Sequence, residues 1–168
     1  MSAARATVRC DHPPMRRAAL FDALAYDSSD PAGYRSAASH LTKLLSGREL
    51  AVKAFEVPPG QSLCPYHYEY VEEWLIVLEG AVVVRTPDGE QEAGAGTAVC
   101  FPAGPDGAHK LTNRGDAPAR LVMFSSAHEP SVAVYPDSDK IGTRPVETGG
   151  DDRLNFRRTE AVDYWDSE

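Results

Sequence analysis

The chain has 168 residues, of which 42% are hydrophobic and 25% are charged, as in an ordinary soluble globular domain. Its formal net charge of −8 argues against binding to nucleic acid or to an anionic membrane, because both require clustered Lys and Arg. We therefore expect a single domain with its own core. Its expected partner is a small-molecule substrate, with no nucleic acid and no membrane.

The cysteines and the apolar runs bear on the cellular compartment. Cys10, Cys64 and Cys100 cannot all pair with one another and lack zinc-binding spacing, which indicates free thiols in a reducing environment. The N-terminal run AALFDALA is too short and too interrupted for a secretory signal. No apolar run has the length of a membrane span. We predict a cytoplasmic protein.

The first part of the chain divides into a leader and a wrapping segment. Residues 1–18 contain two adjacent prolines and little hydrophobic periodicity, as expected of a mobile leader. Residues 19–147 are predicted to form the main domain, whose first part includes the helix-like sequence SAASHLTKLL. Gly47 would end that helix as a C-cap. This segment is expected to wrap the domain or to contact a second subunit.

From Glu49 onward, short strand-like runs alternate with turn signals. The runs are LAVKAFEV, LIVLEGAVVVRT, EQEAGAGTAVCF, HKLTN, RLVMFSS and VAVYP. Turns rich in Pro, Asp and Gly separate them. Regularly spaced short strands without an internal repeat predict an all-β fold with a single sandwich or barrel.

The acidic tail, residues 148–168, ends the chain. It is polar apart from Leu154, Phe156, Val162, Tyr164 and Trp165. These side chains predict a tail that docks on the barrel or on a second subunit, with the Gly-Gly-Asp-Asp sequence at 149–152 as its hinge.

A candidate metal site lies in the segments HYEYVEEWLIVLEG and FPAGPDGAHKLTN. Side chains on a strand alternate between two faces, so His67 and Glu69 point the same way. Glu73 returns to that side after a three-residue turn, and His109 can complete the set. Imidazole and carboxylate donors suit Fe(II), Mn(II), Ni(II) or Zn(II). The alternative is that these residues are surface charges on a hairpin.

The two segments resemble, in order, the two sequence motifs of the cupin superfamily, and the resemblance covers roughly residues 50–126. The first motif corresponds to Gly60, His67, Glu69, Glu73 and Gly80. The second motif corresponds to Gly96, Pro102, Gly104, His109 and Asn113. Together the motifs span residues 60–80 and 96–113.

This resemblance implies a single cupin-type β-barrel, that is, a double-stranded β-helix or jelly roll. It also implies one divalent first-row metal per chain, with Fe or Mn favoured and Ni or Zn as alternatives. Such barrels commonly pair through their edge strands, so a homodimer is expected. Two departures from the family's pattern concern the site. Two extra residues stand between Gly104 and His109, and Glu69 replaces a metal-binding histidine.

Glu69 therefore has two candidate roles, which the residues leave open. As a fourth ligand beside His67, Glu73 and His109, it would favour Mn(II) or Fe(II). As a catalytic general base beside a centre of two histidines and one carboxylate, it would move protons.

Three functions are consistent with these residues. The first, which we favour, is an Fe(II)- or Mn(II)-dependent oxygenase, an oxidoreductase of the dioxygenase type, acting on a small organic molecule. The second is a redox-neutral, metal-dependent isomerase, epimerase or decarboxylase. The third is a non-catalytic small-molecule-binding barrel. In each case Phe101, Met123 and Ser125 are predicted to line the substrate pocket.

Overall fold

The computed structural model describes residues 15–127, 130–144 and 154–168. The predicted leader lies almost wholly outside the described residues, as does the predicted hinge of the tail. The strands are β1 Ala25–Tyr26, β2 Ala37–His40, β3 Leu50–Val57, β4 Tyr68–Glu69, β5 Glu73–Glu79, β6 Ala81–Thr86, β7 Gly89–Gly94, β8 Ala98–Phe101, β9 Lys110–Thr112, β10 Ala119–Ser126, β11 Ser131–Tyr135, β12 Lys140–Arg144 and β13 Asn155–Arg157. One short helix, α1 Leu41–Leu44, follows β2. The prediction of an all-β fold is confirmed.

The strands form three sheets within the described part of the chain. Six strands pair in the order β1-β2-β3-β10-β5-β8, four in the order β13-β12-β11-β4, and three in the order β7-β6-β9. Strands that are distant in sequence are neighbours in each sheet, as in a jelly roll. No helix in the described ranges has the length and apolarity needed to cross a bilayer.

The segment SAASHLTKLL differs from its prediction, because only its second half is helical. Ala37 and Ser39 are buried against β3, and the alternation of buried and open positions is that of a strand. Pairing with β3 thus outweighs the local helix propensity. At the C-terminal end of the helix, the Gly47 N–H donates to the Thr42 carbonyl oxygen at 2.8 Å. Ser46, with φ of 52°, and not Gly47, takes the left-handed conformation there.

The buried core joins the six-stranded sheet to the three-stranded sheet. The first contributes Val57, Leu75, Val77, Phe101, Ala119 and Leu121, and the second contributes Val82, Val84, Ala93 and Leu111. Leu75 and Val77 are fully buried, as the alternation in the motif EEWLIVLEG predicts. The side of β5 that carries them also carries Glu73, which therefore points inward at the end of the core.

Two backbone hydrogen bonds connect the four-stranded sheet to the three-stranded sheet. The His67 N–H donates to the His109 carbonyl at 3.1 Å, and the His109 N–H donates to the His67 carbonyl at 2.7 Å. His67 immediately precedes β4 and His109 immediately precedes β9. The contact therefore lies where the two sheets meet, and it brings the two histidines side by side.

A surface ion pair spans the same boundary. The Arg85 guanidinium on β6 donates to both carboxylate oxygens of Asp137, at 2.6 and 2.9 Å, in the turn after β11. The guanidinium carbon also lies 3.9 Å from the centre of the Tyr66 ring. A bidentate pair that packs on an aromatic face holds its geometry better than a simple surface ion pair.

The outer face of the six-stranded sheet carries apolar side chains. Trp74 stacks on Phe124 with ring centres 6.2 Å apart and an angle of 7° between the rings. Trp74 and Leu78 are each more than a third exposed. The homodimer that the sequence analysis expects, through edge strands, stays a prediction.

The tail joins the sheet by a single strand. Phe156 in β13 pairs with Ile141 of β12. Beyond that strand, Tyr164 and Trp165 pack against each other edge to face and are 84% and 72% exposed. Among the described residues of the tail, strand pairing with the rest of this chain is thus confined to β13.

Replacing Gly107 by Ala is expected to lower the free energy of unfolding by more than about 2 kcal/mol. Gly107 ends the 3-10 turn before His109, and an added Cβ atom would overlap the carbonyl oxygen of Pro102. Gly94→Ala is the matched control, because a Cβ atom there meets nothing within 4 Å. Urea unfolding of both variants measures the difference. Equal stability of the two would contradict this explanation.

Candidate metal centre

Three of the four predicted ligands converge on one point. The Glu73 Oε2 atom lies 3.8 Å from Nε2 of His67 and 3.8 Å from Nε2 of His109. One ligand atom from each of the three residues lies within 4.8 Å of the others. β5 supplies the carboxylate, and the junction of the four-stranded and three-stranded sheets supplies both imidazoles.

Local hydrogen bonds orient both imidazole rings. Nδ1 of His67 is 3.0 Å from the Pro65 carbonyl oxygen, and Nδ1 of His109 is 2.9 Å from the Gly107 carbonyl oxygen. A carbonyl oxygen only accepts, so each Nδ1 carries the proton and each Nε2 presents a lone pair. Nε2 of His109 is buried and has no hydrogen-bond partner among the residues that the structure describes. An unsatisfied buried acceptor beside a second imidazole and a carboxylate fits a divalent metal ion.

Burial keeps both imidazoles neutral. It lowers the pKa of His109 to about 4, with the nearby His67 lowering it further and the Gly107 carbonyl opposing the shift. Burial also lowers the pKa of His67. The contacts of these rings with Glu73 are therefore not ion pairs at neutral pH. Neutral imidazole is the form that binds a metal.

The carboxyl group of Glu73 is protonated in the metal-free site and can exchange its proton for a cation. Burial and then the nearby charge of Glu69 raise its pKa to about 8, while Lys53 opposes the shift. A divalent ion would favour the ionised form, so its binding would release this proton.

Glu69 lies beside this group but outside it. Its carboxylate is not among the ligand atoms that cluster within 4.8 Å in the described part of the chain. Glu69 is half-buried on β4, and burial raises its pKa while Lys53 and Arg144 lower it. The Gly104 N–H donates to its backbone carbonyl at 2.7 Å, which ties β4 to the loop before His109.

Aromatic rings pack against both imidazoles. Phe101 is buried and stacks on His109 with ring centres 3.7 Å apart, and Tyr135 stacks on His67 at 5.8 Å. The Cys64 Sγ atom lies 3.6 Å from Nδ1 of His67. Burial raises the pKa of that thiol to about 12, so it stays protonated and is a poor nucleophile.

The other predicted pocket residues lie on β10, on the inner side of the sheet. Met123 pairs with Leu75 and is partly buried against the core, and Ser125 pairs with Glu73. Two surface cavities, of about 410 and 320 Å³, lie elsewhere and contain neither residue. Contact of Phe101, Met123 or Ser125 with a substrate stays a prediction.

Three further side chains near the metal centre were not singled out from the sequence. They are Lys53 on β3, Tyr135 on β11 and Arg144 on β12. The charge of Lys53 acts on Glu69 and Glu73, and that of Arg144 acts on Glu69 and His67. Lys53 could have been singled out from the sequence, because it is a charged residue on the same strand face as the apolar residues Phe55 and Val57.

The metal-free protein is expected to become less stable as the pH rises from about 7 to about 8.5, by roughly 1–2 kcal/mol. Glu73 has a pKa of about 8 in the folded chain against an ordinary value of 4.5. In this interval the unfolded chain binds fewer protons than the folded chain, so a rise in pH favours unfolding.

Urea unfolding in the presence of a chelator, at both pH values, measures this loss. Glu73→Gln should remove most of it, because the amide has no proton to release. A loss of equal size in both proteins would assign it to other groups.

Comparison with known proteins adds to this geometry. Residues 54–125 match the cupin domain family. The tetracenomycin polyketide synthase protein TcmJ of Streptomyces glaucescens is 30% identical over 91 residues, which are 54% of this chain. The alignment spans 57% of the length of that relative.

Two solved structures share the fold of this chain. A sugar phosphate isomerase of the cupin superfamily from Silicibacter pomeroyi has a TM-score of 0.71 and 23% identity, over 86% of this chain and 95% of its own. The polyketide cyclase RemF from Streptomyces resistomycificus has a TM-score of 0.59 and 21% identity, over 83% of this chain and 90% of its own. The family match is thus to residues 54–125, and the likeness to these two structures shows a shared fold over most of the chain.

Proposed function

We propose that the protein is a metal-dependent enzyme that moves a proton on a small, oxygen-rich organic molecule without net oxidation. One observation carries this proposal. His67, Glu73 and His109 bring their ligand atoms together, while Glu69 lies beside them as a half-buried carboxyl group outside the cluster. The site therefore offers three residues that can hold a metal ion and, separately, a carboxyl group that can hold a proton.

His67, Glu73 and His109 would hold the ion, in agreement with the chemistry of their donor atoms. When bound, a divalent first-row ion supplies Lewis acidity to a substrate oxygen, and Fe(II) or Mn(II) can also supply electrons to dioxygen. The stacked rings of Phe101 and Tyr135 restrict the two imidazoles, and the carbonyls of Pro65 and Gly107 fix their tautomers.

The step assigned to Glu69 is proton transfer next to a carbonyl group. The ionised carboxylate takes a proton from the carbon beside the carbonyl, and the electron pair of the broken C–H bond moves toward the carbonyl oxygen, which gives an enolate. Glu69 then returns the proton to the same or a neighbouring carbon. The raised pKa of Glu69 brings it closer to neutrality, where a carboxylate is a stronger base.

The named relative supports this type of substrate. TcmJ is described as a polyketide synthase protein. Polyketide chains carry carbonyl groups on alternate carbons, and the protons between two carbonyls are acidic. A base beside a Lewis acid suits such a molecule.

An oxygenase remains the second candidate, because the clustered donors are two imidazoles and one carboxylate. Non-haem Fe(II) oxygenases use this donor set and leave positions open for substrate and dioxygen. The two candidates share the metal ligands and differ in whether dioxygen is consumed.

His109→Ala is expected to abolish metal binding. Elemental analysis of gently purified wild-type protein should find about one first-row metal ion per chain, and the variant should lose at least nine-tenths of it. His40→Ala is the matched control, since His40 is exposed on β2. Circular dichroism checks that the variants are folded. Wild-type protein without metal, even after reconstitution, would contradict the enzyme proposal and favour a binding barrel.

Glu69→Gln is expected to keep the metal and to lose proton transfer by at least about 100-fold. NMR in D2O measures deuterium uptake by a panel of β-diketones and 2-oxo acids, and an oxygen electrode monitors the same mixtures. Glu72→Gln is the control, because Glu72 is exposed and accepts a hydrogen bond from the Trp74 indole N–H at 2.6 Å.

Loss of metal from the Glu69→Gln variant would indicate that Glu69 is a metal ligand and not the base. Dioxygen uptake by the Fe(II)-loaded wild type would favour the oxygenase instead.

A further inference from the structure

We infer that Lys53 and Arg144 form an anion-binding pair beside the metal centre, and that the substrate carries an anionic oxygen group such as a carboxylate. This inference rests on the proposed function, and it names the chemical class on which that site acts.

Strand register places Lys53 on the inner face of the six-stranded sheet. Lys53 pairs with Met123, and Met123 pairs in turn with Leu75, which is fully buried in the core. Residues paired across neighbouring strands share a face, and Glu73 shares that face with Leu75. Lys53 is nevertheless exposed, and it lies one same-face residue pair away from the level of Glu73. Its charge acts on both Glu69 and Glu73, as expected of an ammonium group directed toward the candidate ligands.

Register likewise places Arg144 on the face of the four-stranded sheet that carries Glu69. Glu69 pairs with Ala133, and Ala133 pairs with Gly142. Arg144 lies two residues beyond Gly142 and therefore shares its face. Tyr135, two residues beyond Ala133, also shares this face and stacks on His67. The two cations thus approach the site from different sheets.

The Arg144 guanidinium is held in place by neutral acceptors. Its Nη2 donates to the Tyr135 hydroxyl oxygen and to Asn155 Oδ1, each at 3.2 Å, and its Nη1 donates to the Thr143 carbonyl at 3.3 Å. Glycine at position 142 makes this possible, since a Cβ atom there would lie 2.5 Å from Asn155 Oδ1. A guanidinium fixed in this way loses little freedom when it binds an anion.

Neither cation has a carboxylate partner within 4.0 Å among the described residues, although the charge of each acts on Glu69. Arg85, Arg114 and Arg120, by contrast, all have close carboxylate partners on the protein surface. Other described arginines, such as Arg16 and Arg157, contact backbone carbonyls instead, so Lys53 and Arg144 are distinguished by their position beside Glu69.

The formal charges of the site lead to the same inference. The ionised carboxylates of Glu69 and Glu73 balance the charges of Lys53 and Arg144. A divalent ion then leaves an excess of two positive charges in a partly buried site, although the whole chain carries −8. Uncompensated charge of this kind is costly, and an anionic substrate removes the excess. The planar guanidinium suits a carboxylate or phosphate, and Lys53 adds a second contact.

Calorimetry on Zn(II)-loaded protein tests this inference, with malonate and inorganic phosphate as anionic probes and imidazole as a neutral metal ligand. Lys53→Gln and Arg144→Gln should each weaken malonate binding at least about tenfold. Binding of imidazole should change less than about twofold, because it needs only the metal. Lys43→Gln is the matched control, since it removes an exposed cation from α1. Arg144→Lys, which keeps the charge but not the planar fork, should keep part of the affinity.

The outcomes separate this inference from the function on which it rests. Unchanged malonate affinity in both Gln variants, with zinc retained, overturns the anion pair and leaves the metal enzyme in place. Wild-type protein that binds no zinc contradicts both the anion-binding pair and the metal-dependent enzyme. Stronger binding of phosphate than of malonate, lost in the same variants, supports the pair and assigns it to a phosphate group.

Discussion

The paired backbone hydrogen bonds between His67 and His109 are the interaction on which the rest of the structure depends. They join two sheets whose strands pair separately in the described part of the chain, and they place two imidazoles with ring centres 4.8 Å apart. The two sheets are thus joined through the same residues that offer the candidate nitrogen ligands. Fold and site are therefore one arrangement, and a change that separates the sheets also separates the ligands.

Burial then sets the protonation state of the ligands. It keeps the imidazoles neutral and holds a proton on Glu73, so the metal-free centre carries little charge of its own. In this state the three side chains can be buried without leaving an unpaired charge in the interior. A divalent cation held by His67, Glu73 and His109 would displace the Glu73 proton, and Lys53 and Arg144 would then lie beside a positive centre. The charge of the site would thus depend on its occupancy.

Much of this arrangement could be predicted from local sequence. The run LAVKAFEV is β3 from end to end, and alternation correctly placed Leu75, Val77 and Glu73 on one face. Local sequence failed where distant pairing decides the outcome. Ala37–His40 became a strand because β3 lies beside it. Arg144 gave no local signal, because its position beside Glu69 depends on the register of three strands.

Each histidine is positioned by a carbonyl two residues before it, Pro65 for His67 and Gly107 for His109. The orientation of each imidazole is therefore fixed within the short peptide segment that carries it. The two extra residues between Gly104 and His109 fit this picture, because the 3-10 turn at Pro105–Gly107 takes up the added length. Loop length upstream of such a unit can drift during evolution, so the chain can acquire a new pocket wall without displacing its two imidazoles.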